Sequence, residues 1–518
     1  MALFDITLPK SLVRALKLPE EAAVRQQKKV LQKLLRKARF TEFGQQYSFD
    51  KILLNERKLV QSFQKNVPLT SYNKIYNEWW GKTLQGKSDV CWPGKVKYYA
   101  LSSGTSEAAS KYIPVTNDLL KANKIIMIKQ LLSLRNYQLV NYKSIGKGWL
   151  TLGGSTDLQK GVGYYAGDLS GITTKKSPIW FQPFYKPGKR IAKEKDWNKK
   201  IEEIVKKAPQ WDIGFLVGVP SWAQLCMEKI IERYALDTIH DIWPNFEFFV
   251  HGGVSFEPYK KGFEKLLGKP VTYIETYLAS EGFLAYQNRQ LATNMRLATS
   301  GSIFFEFIPF NEDNFDENGE LIGNPVALTY QDVEENVDYA LVISTPAGAW
   351  RYLIGDTVRI TNKIDVQMII TGRIKHFLSL VGEHLSLDNM NQAITLAARD
   401  MDITVTEYTV VGEPHEGFFA HHWYIGSTDE FDKDQFRLLL DSYLRKLNDD
   451  YAVERNSTLK EIVIDILPDN YFIDFLAKRG KVGSQIKFPR VLKGRIKEEW
   501  QQYLLHKESL DGKKSVSP

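Results

Sequence analysis

A large α/β domain followed by a smaller α+β domain is the fold class predicted by this 518-residue sequence, and three patterns predict it. Between Ile213 and Tyr277 apolar strand-like runs alternate with helical ones, which implies parallel strands joined by helices. From Gly301 to Asp365 the text is mostly β. Beyond Gly372-Arg373 helices and strands mix over enough chain for a separate unit, so the expected domains are residues 1–372 and 373–518.

The stretch Pro19–Phe40 puts Ala23, Val30, Leu31, Leu34 and Leu35 on one stripe and Arg25, Lys28, Lys29, Lys33, Arg36 and Lys37 on the other. That is an amphipathic helix, read as docked on a core with its basic face in solvent. Val96–Leu101 and Lys111–Val115 read as strands around a polar loop. Helices are expected at Asn117–Leu134 and Ala192–Lys207, separated by Gly-punctuated text from Gly146 to Gly171. The alternating region then gives strand Ile213–Val219, helix Ser221–Tyr234, strand Phe246–Val250, helix Pro258–Leu267 and strand Val271–Tyr277. Ser302–Ile308, Pro325–Tyr330, Tyr339–Ser344 and Asp356–Thr361 follow as strands. The second domain reads as helix Asp388–Arg399, strands Ile403–Val411 and Phe418–Ile425, helix Lys433–Asn448 and strand Leu459–Ile466.

Hydrophobic residues at 43 % and charged residues at 25 % are ordinary globular usage and argue against a disordered or collagenous chain. The net charge of +8 is spread over the length and mixed with acids, which favours anionic small molecules over nucleic acid. Cys91 and Cys226 alone make no disulfide framework and no cysteine-based metal site, which fits a reducing cytoplasm. No apolar run approaches the ~18 residues of a membrane span, and the opening Met-Ala-Leu-Phe-Asp-Ile lacks the order of a signal peptide. The expectation is a cytoplasmic monomer with neither membrane nor nucleic acid as partner.

Five segments carry chemistry. Ser102-Ser103-Gly104-Thr105-Ser106, with Lys111 beyond, offers backbone N–H and hydroxyl donors able to wrap a polyphosphate; it is not a Walker A sequence, and a Ser/Thr/Gly loop is often only a turn. Tyr277-Leu278-Ala279-Ser280-Glu281 ends a strand with a ring that can lie on a base and a carboxylate that can hold a cation. In Tyr352-Leu353-Ile354-Gly355-Asp356 the carboxylate can accept from both hydroxyls of a ribose, with Arg351 as a donor for phosphate. Gly372-Arg373-Ile374-Lys375 marks the domain boundary, and Gln485-Ile486-Lys487-Phe488-Pro489-Arg490 lies near the C-terminus; each of these also reads as a basic surface loop. His421-His422 sits in strand text, where neighbours face opposite ways and cannot share one metal; His251 reads as structural.

In that order and combination the five segments resemble the signatures of the adenylate-forming acyl and aryl acid ligase superfamily, and in detail the auxin-responsive acyl-acid amido synthetases, especially their bacterial members. Thr41-Glu42-Phe43-Gly44, Val67 to Tyr72, Gly218 to Trp222 and His251-Gly252-Gly253 are softer echoes, so the resemblance spans about Leu31 to Arg490. One departure stands out: Ala108-Ala109 follow Glu107 where the family keeps a glycine.

The resemblance implies a large domain of adenylate-forming ligase type that binds ATP and an acyl acid, and a small mobile C-terminal domain. It implies ATP as substrate with Mg²⁺, and a carboxylic acid and an amine or amino acid as partners. Ser102, Ser103, Thr105 and Ser106 grip the β and γ phosphates, Tyr277 lies against adenine with Ser280 beside it, and Glu281 holds Mg²⁺. Asp356 binds the ribose hydroxyls, Arg373 supports ribose and phosphate, Lys375 is the hinge, and Lys487 approaches the α-phosphate. The expected reaction is an acid–amino-acid ligation through an acyl-adenylate. The alternatives are a coenzyme A ligase using the same intermediate, or a non-catalytic relative that binds nucleotide or acid.

Overall fold

The computed structural model describes residues 20–102, 111–137, 142–253, 256–311, 313–316, 319–374, 385–415, 418–448, 451–452, 455, 459–479 and 488–514. The chain forms two compact units, residues 1–253 with 267–371, and residues 254–266 with 372–518.

In the first unit the Glu20–Ala38 helix buries the expected stripe, with Ala23, Leu31 and Leu35 fully covered. Gln27 locks it in place: its amide donates to Thr299 O and Ile303 O, and its Oε1 accepts from Phe305 N. Strands β1 (Tyr98–Ser102) and β2 (Lys111–Val115) are antiparallel, with Ser102 opposite Lys111, so the hydroxyl-rich segment joins two adjacent strand ends. β3 (Gly148–Leu152) lies in the Gly-punctuated text, where no strand is expected from the pattern. The hairpin of β4 (Gln159–Gly161) and β5 (Tyr164–Gly167) completes a four-stranded sheet of order β2-β1-β5-β4.

β6 (Tyr185–Lys186), β7 (Ile213–Gly218), β8 (Phe248–Gly252) and β9 (Thr272–Ala279) run parallel with β3, as the alternation predicts. β10 (Gly282–Tyr286), β11 (Met295–Leu297), β12 (Phe304–Pro309), β13 (Asp338–Ser344), β14 (Tyr352–Asn362) and β15 (Gln367–Arg373) extend this sheet with antiparallel pairings, to the order β12-β13-β14-β15-β11-β10-β9-β8-β7-β3-β6 among the described residues. Pro325–Tyr330 is not a strand: it contributes one isolated bridge, Leu328 to Phe307, and Gln64 takes the Ala327 carbonyl. Aromatic rings from the N-terminal helices close over Trp350, with Phe49 at 4.8 Å and Phe43 at 5.9 Å between ring centroids. This buries the segment that enters β14.

The second unit is an α+β body in which β16 (Glu407–His415), β17 (Phe418–Gly426), β18 (Leu459–Leu467) and β19 (Val491–Leu492) form a sheet of order β18-β17-β16-β19. The Leu387–Asp400 and Lys433–Leu447 helices bury Met390, Ile394, Phe436 and Leu440 with Tyr408 and Trp423 of the sheet in one core. His421 is fully buried beside Tyr451, whereas His422 Nε2 meets Asp465 Oδ2 at 2.7 Å, so the adjacent histidines face opposite ways as strand geometry requires. Among the described residues no helix is long and apolar enough to cross a membrane.

Candidate functional site

The site is built where parallel strands end. β9 runs beside β8, passes through the two-residue turn Ser280-Glu281 and returns as β10, with Gly282 opposite Ala279. Gly282 fits because a Cβ there would come within 2.6 Å of Ile303 Cδ1. The tight return leaves Glu281 at the turn, only 8 % exposed. The carboxyl ends of parallel strands are where α/β sheets receive ligands.

β14 brings the second acid to the same place. It is one continuous strand from Tyr352 to Asn362, beginning four residues before the expected Asp356–Thr361. Its pairing with β13 shifts register between Ala340–Thr357 and Val342–Leu353, so β14 carries extra residues at Ile354-Gly355-Asp356. Gly355, at φ +95°, takes the conformation that such a bulge needs and that a side chain would resist. Asp356 is thereby 7 % exposed, and its Oδ2 accepts from the Tyr277 hydroxyl at 2.5 Å.

Tyr352 stands beside Glu281, whose charge acts on its phenol. Burial pushes the Tyr352 hydroxyl well above its ordinary pKa, and Glu281, Tyr72 and Asp356 push it further, so it remains a donor. Two carboxylates and two phenols, from the end of β9 and from β14, thus form one acidic, oxygen-rich niche. Hard oxygen ligands suit Mg²⁺, which commonly takes one or two carboxylates together with phosphate oxygens. Nearby, His251 at the end of β8 is buried against Phe249, and burial drives its imidazole down to about 3, leaving it neutral.

The niche brings together Tyr277, Ser280, Glu281 and Asp356. Ser280 is half-buried in the turn. The Tyr277 ring belongs to the hydrophobic core and its residue is 6 % exposed, so its visible task is the bond to Asp356. Ser102 ends β1, opposite Lys111. Arg373 closes β15, exposed, at the start of the second unit. Ser103, Thr105, Ser106, Lys375 and Lys487 lie outside the described residues.

Arg351 is a correction. It is no phosphate donor: its Nε meets both oxygens of the fully buried Glu306 at 3.1 and 3.2 Å, and its Nη1 donates to Gln64 O and Val67 O. With Nε and Nη1 committed to a buried acid and two carbonyls and the residue 5 % exposed, the guanidinium serves the core. Two contributors carry no expected role from sequence, Tyr352 and Thr70, whose backbone clamps Arg351 O and Leu353 N. Their only sequence signal is membership of the short echoes Tyr352 to Asp356 and Val67 to Tyr72.

Family models match most of this length: the GH3 family N-terminal domain over residues 13–202, the central domain over 297–367 and the C-terminal domain over 388–496. The chain belongs to the GH3 family. This is the auxin-responsive acyl-acid amido synthetase family that the motifs resemble. Indole-3-acetic acid-amido synthetase GH3.4 of Arabidopsis thaliana is 26 % identical to this GH3 chain over 317 residues, covering 56 % of the chain and 50 % of the relative. The alignment thus spans half that relative's length. Jasmonoyl–L-amino acid synthetase JAR6 of Nicotiana attenuata is 23 % identical over 548 residues, covering 90 % of each. The solved structure of GH3.15 acyl acid amido synthetase superposes with a TM-score of 0.75 at 18 % identity, covering 97 % of each chain, so the GH3 fold extends over nearly the whole protein.

Proposed function

We propose that this GH3 protein is an acid–amine ligase: a carboxylate attacks the α-phosphorus of ATP, pyrophosphate leaves, and an amine, in our reading an amino acid, displaces AMP from the acyl-adenylate to give an amide. The observation that carries the reading is the niche of Glu281 beside Tyr352 and Asp356 bonded to Tyr277 at the carboxyl end of β9, in a chain matched by the family's N-terminal, central and C-terminal domain models. Both named relatives form amides with different acids, and identities of 23–26 % do not carry either acid over to this chain.

A carboxylate approaching a triphosphate meets anion repulsion, so catalysis here is positioning plus charge stabilisation, and no side-chain nucleophile is needed. Asp356 accepts from the ribose hydroxyls, Arg373 supports ribose and phosphate, and Ser102, Ser103, Thr105 and Ser106 hold the β and γ phosphates. Glu281 offers an oxygen to Mg²⁺, which offsets phosphate charge when bound. Lys487 supplies a cation at the α-phosphate.

The test is ATP–pyrophosphate exchange over a panel of carboxylic acids, followed by mass spectrometry of products with amino acids or coenzyme A added. Exchange followed by amide supports the ligase. Thioester would make it a coenzyme A ligase, and no exchange with any acid would leave a nucleotide- or acid-binding relative.

Asp356→Ala removes the acceptor for two ribose hydroxyls. Hydrogen bonds to a charged group contribute about 1.5–3 kcal/mol each, so ATP affinity should fall at least ~10-fold. Calorimetry showing wild-type affinity in the folded variant would refute the ribose assignment.

A further inference from the structure

The solvent face of the Glu20–Ala38 helix has no part in the chemistry proposed above. Arg25, Lys28, Lys29, Lys33, Arg36 and Lys37 are all exposed on the side opposite the buried stripe, and Arg39 follows just past the end of the helix. We propose that this face, together with the turn after Leu54, docks the protein on the surface of an anionic lipid bilayer.

The charge of the face is mostly uncompensated. Residues 20–58 hold ten basic side chains against five acidic ones. Arg36 meets Glu56 at 3.7 Å and Lys37 meets Asp118 at 3.0 Å, whereas Lys28, Lys29 and Lys33 meet no carboxylate among the described residues. Gln32 donates to Glu56 Oε1 at 3.0 Å, and with the Arg36 pair this sets the 54–58 turn beside the helix face, adding the exposed Arg57 and Lys58.

Two large apolar side chains stand out of this cationic surface. Leu54 is 85 % exposed, and Phe40, at the end of the helix, is 67 % exposed with the Arg39 guanidinium 4.5 Å from its ring centroid. The helix is fixed before any partner arrives, because Gln27 ties it to Thr299, Ile303 and Phe305 from the buried side. At ~1.5 Å per residue its 19 residues present a straight cationic edge of roughly 28 Å. Cations in a row with apolar side chains at their margin suit a bilayer surface: headgroup anions meet the lysines, and Leu54 and Phe40 reach the acyl boundary. Phosphates of a nucleic acid would meet the same cations but would leave Leu54 in water, so that side chain tells the two partners apart. The periodicity of the helix yields only a solvated basic face and no membrane partner; the fold adds the apolar margin, and with it the partner changes.

The test is co-sedimentation of the full-length protein with vesicles of phosphatidylcholine alone and of phosphatidylcholine with phosphatidylserine at about 7:3, at low and high salt. The wild type should bind the anionic vesicles, release them as salt rises, and leave the neutral ones unbound. The triple variant Lys28→Gln, Lys29→Gln, Lys33→Gln should bind on the order of 100-fold more weakly, since each basic residue near such a surface contributes about a factor of five. Leu54→Asn keeps every charge and should weaken vesicle binding about tenfold while leaving binding of a single-stranded oligonucleotide as it is in the wild type. Both variants change exposed side chains only and should melt with the wild type. Failure of the wild type to bind anionic vesicles would overturn the proposal, as would a triple variant that binds them equally well. Vesicle binding indifferent to Leu54→Asn, with the oligonucleotide held as tightly as the vesicles, would overturn it in favour of a nucleic-acid surface.

Discussion

Lys487→Ala should slow formation of the acyl-adenylate by about 10²-fold or more, the scale of losing one preorganised donor at a developing charge. Conversion of a supplied acyl-adenylate to amide should lose much less. Negative charge builds at the α-phosphate in the first step, when the carboxylate adds and pyrophosphate has yet to leave. In the second step the amine attacks a carbonyl, and the α-phosphate departs as part of AMP. Lys487 belongs to the second compact unit, whereas Glu281 and Asp356 belong to the first. A lysine on a separate unit serves the first step only when that unit presents it to the nucleotide, and a change in presentation would let one niche serve two attacking groups. Single-turnover kinetics of each half-reaction separate the possibilities. Equal losses in both halves would mean that the lysine acts throughout or is structural, and the two-orientation account would lose its support.

Patterns of period and punctuation are legible in the sequence, and long-range partners are not. The Glu20–Ala38 helix and β2 match the pattern closely because a regular stripe or a run of β-formers is a local property. β3, β10 and β11 are hidden: they have three to five residues, two of them begin or sit among glycines, and each is a strand only because neighbours supply the ladder. Pro325–Tyr330 has strand composition, but its carbonyl at Ala327 goes to a Gln64 side chain and Asp332 caps the turn at Thr329, so the ladder is never made. At the site, Glu281 and Asp356 are legible from their motifs, yet Tyr277 and Asp356 are 79 positions apart and their bond depends on a bulge in β14. The grouping of residues 254–266 with 372–518 is of the same kind: Lys261 reaches Asp402 at 2.6 Å, a contact that composition along the chain does not announce.

Arg351 gives the second large effect, and it concerns stability. Its guanidinium and the Glu306 carboxylate are 7 % and 0 % exposed, and burial pushes the Glu306 pKa up against the pull of Arg351 and the amide of Gln64. Removing one member of a buried pair leaves the other desolvated and uncompensated, at a cost of about 3–5 kcal/mol. Arg351→Met and Glu306→Leu should each destabilise the first unit by that amount. The double variant should lose far less than the sum of the two, because no isolated charge remains. It should still fall short of wild type by about 1–3 kcal/mol, since methionine at position 351 must keep φ +42° without the bonds that now hold it there. Urea denaturation followed by tryptophan fluorescence reads the difference, with Trp350 next to the changed residue. Additive losses would show that the two side chains do not act as a pair.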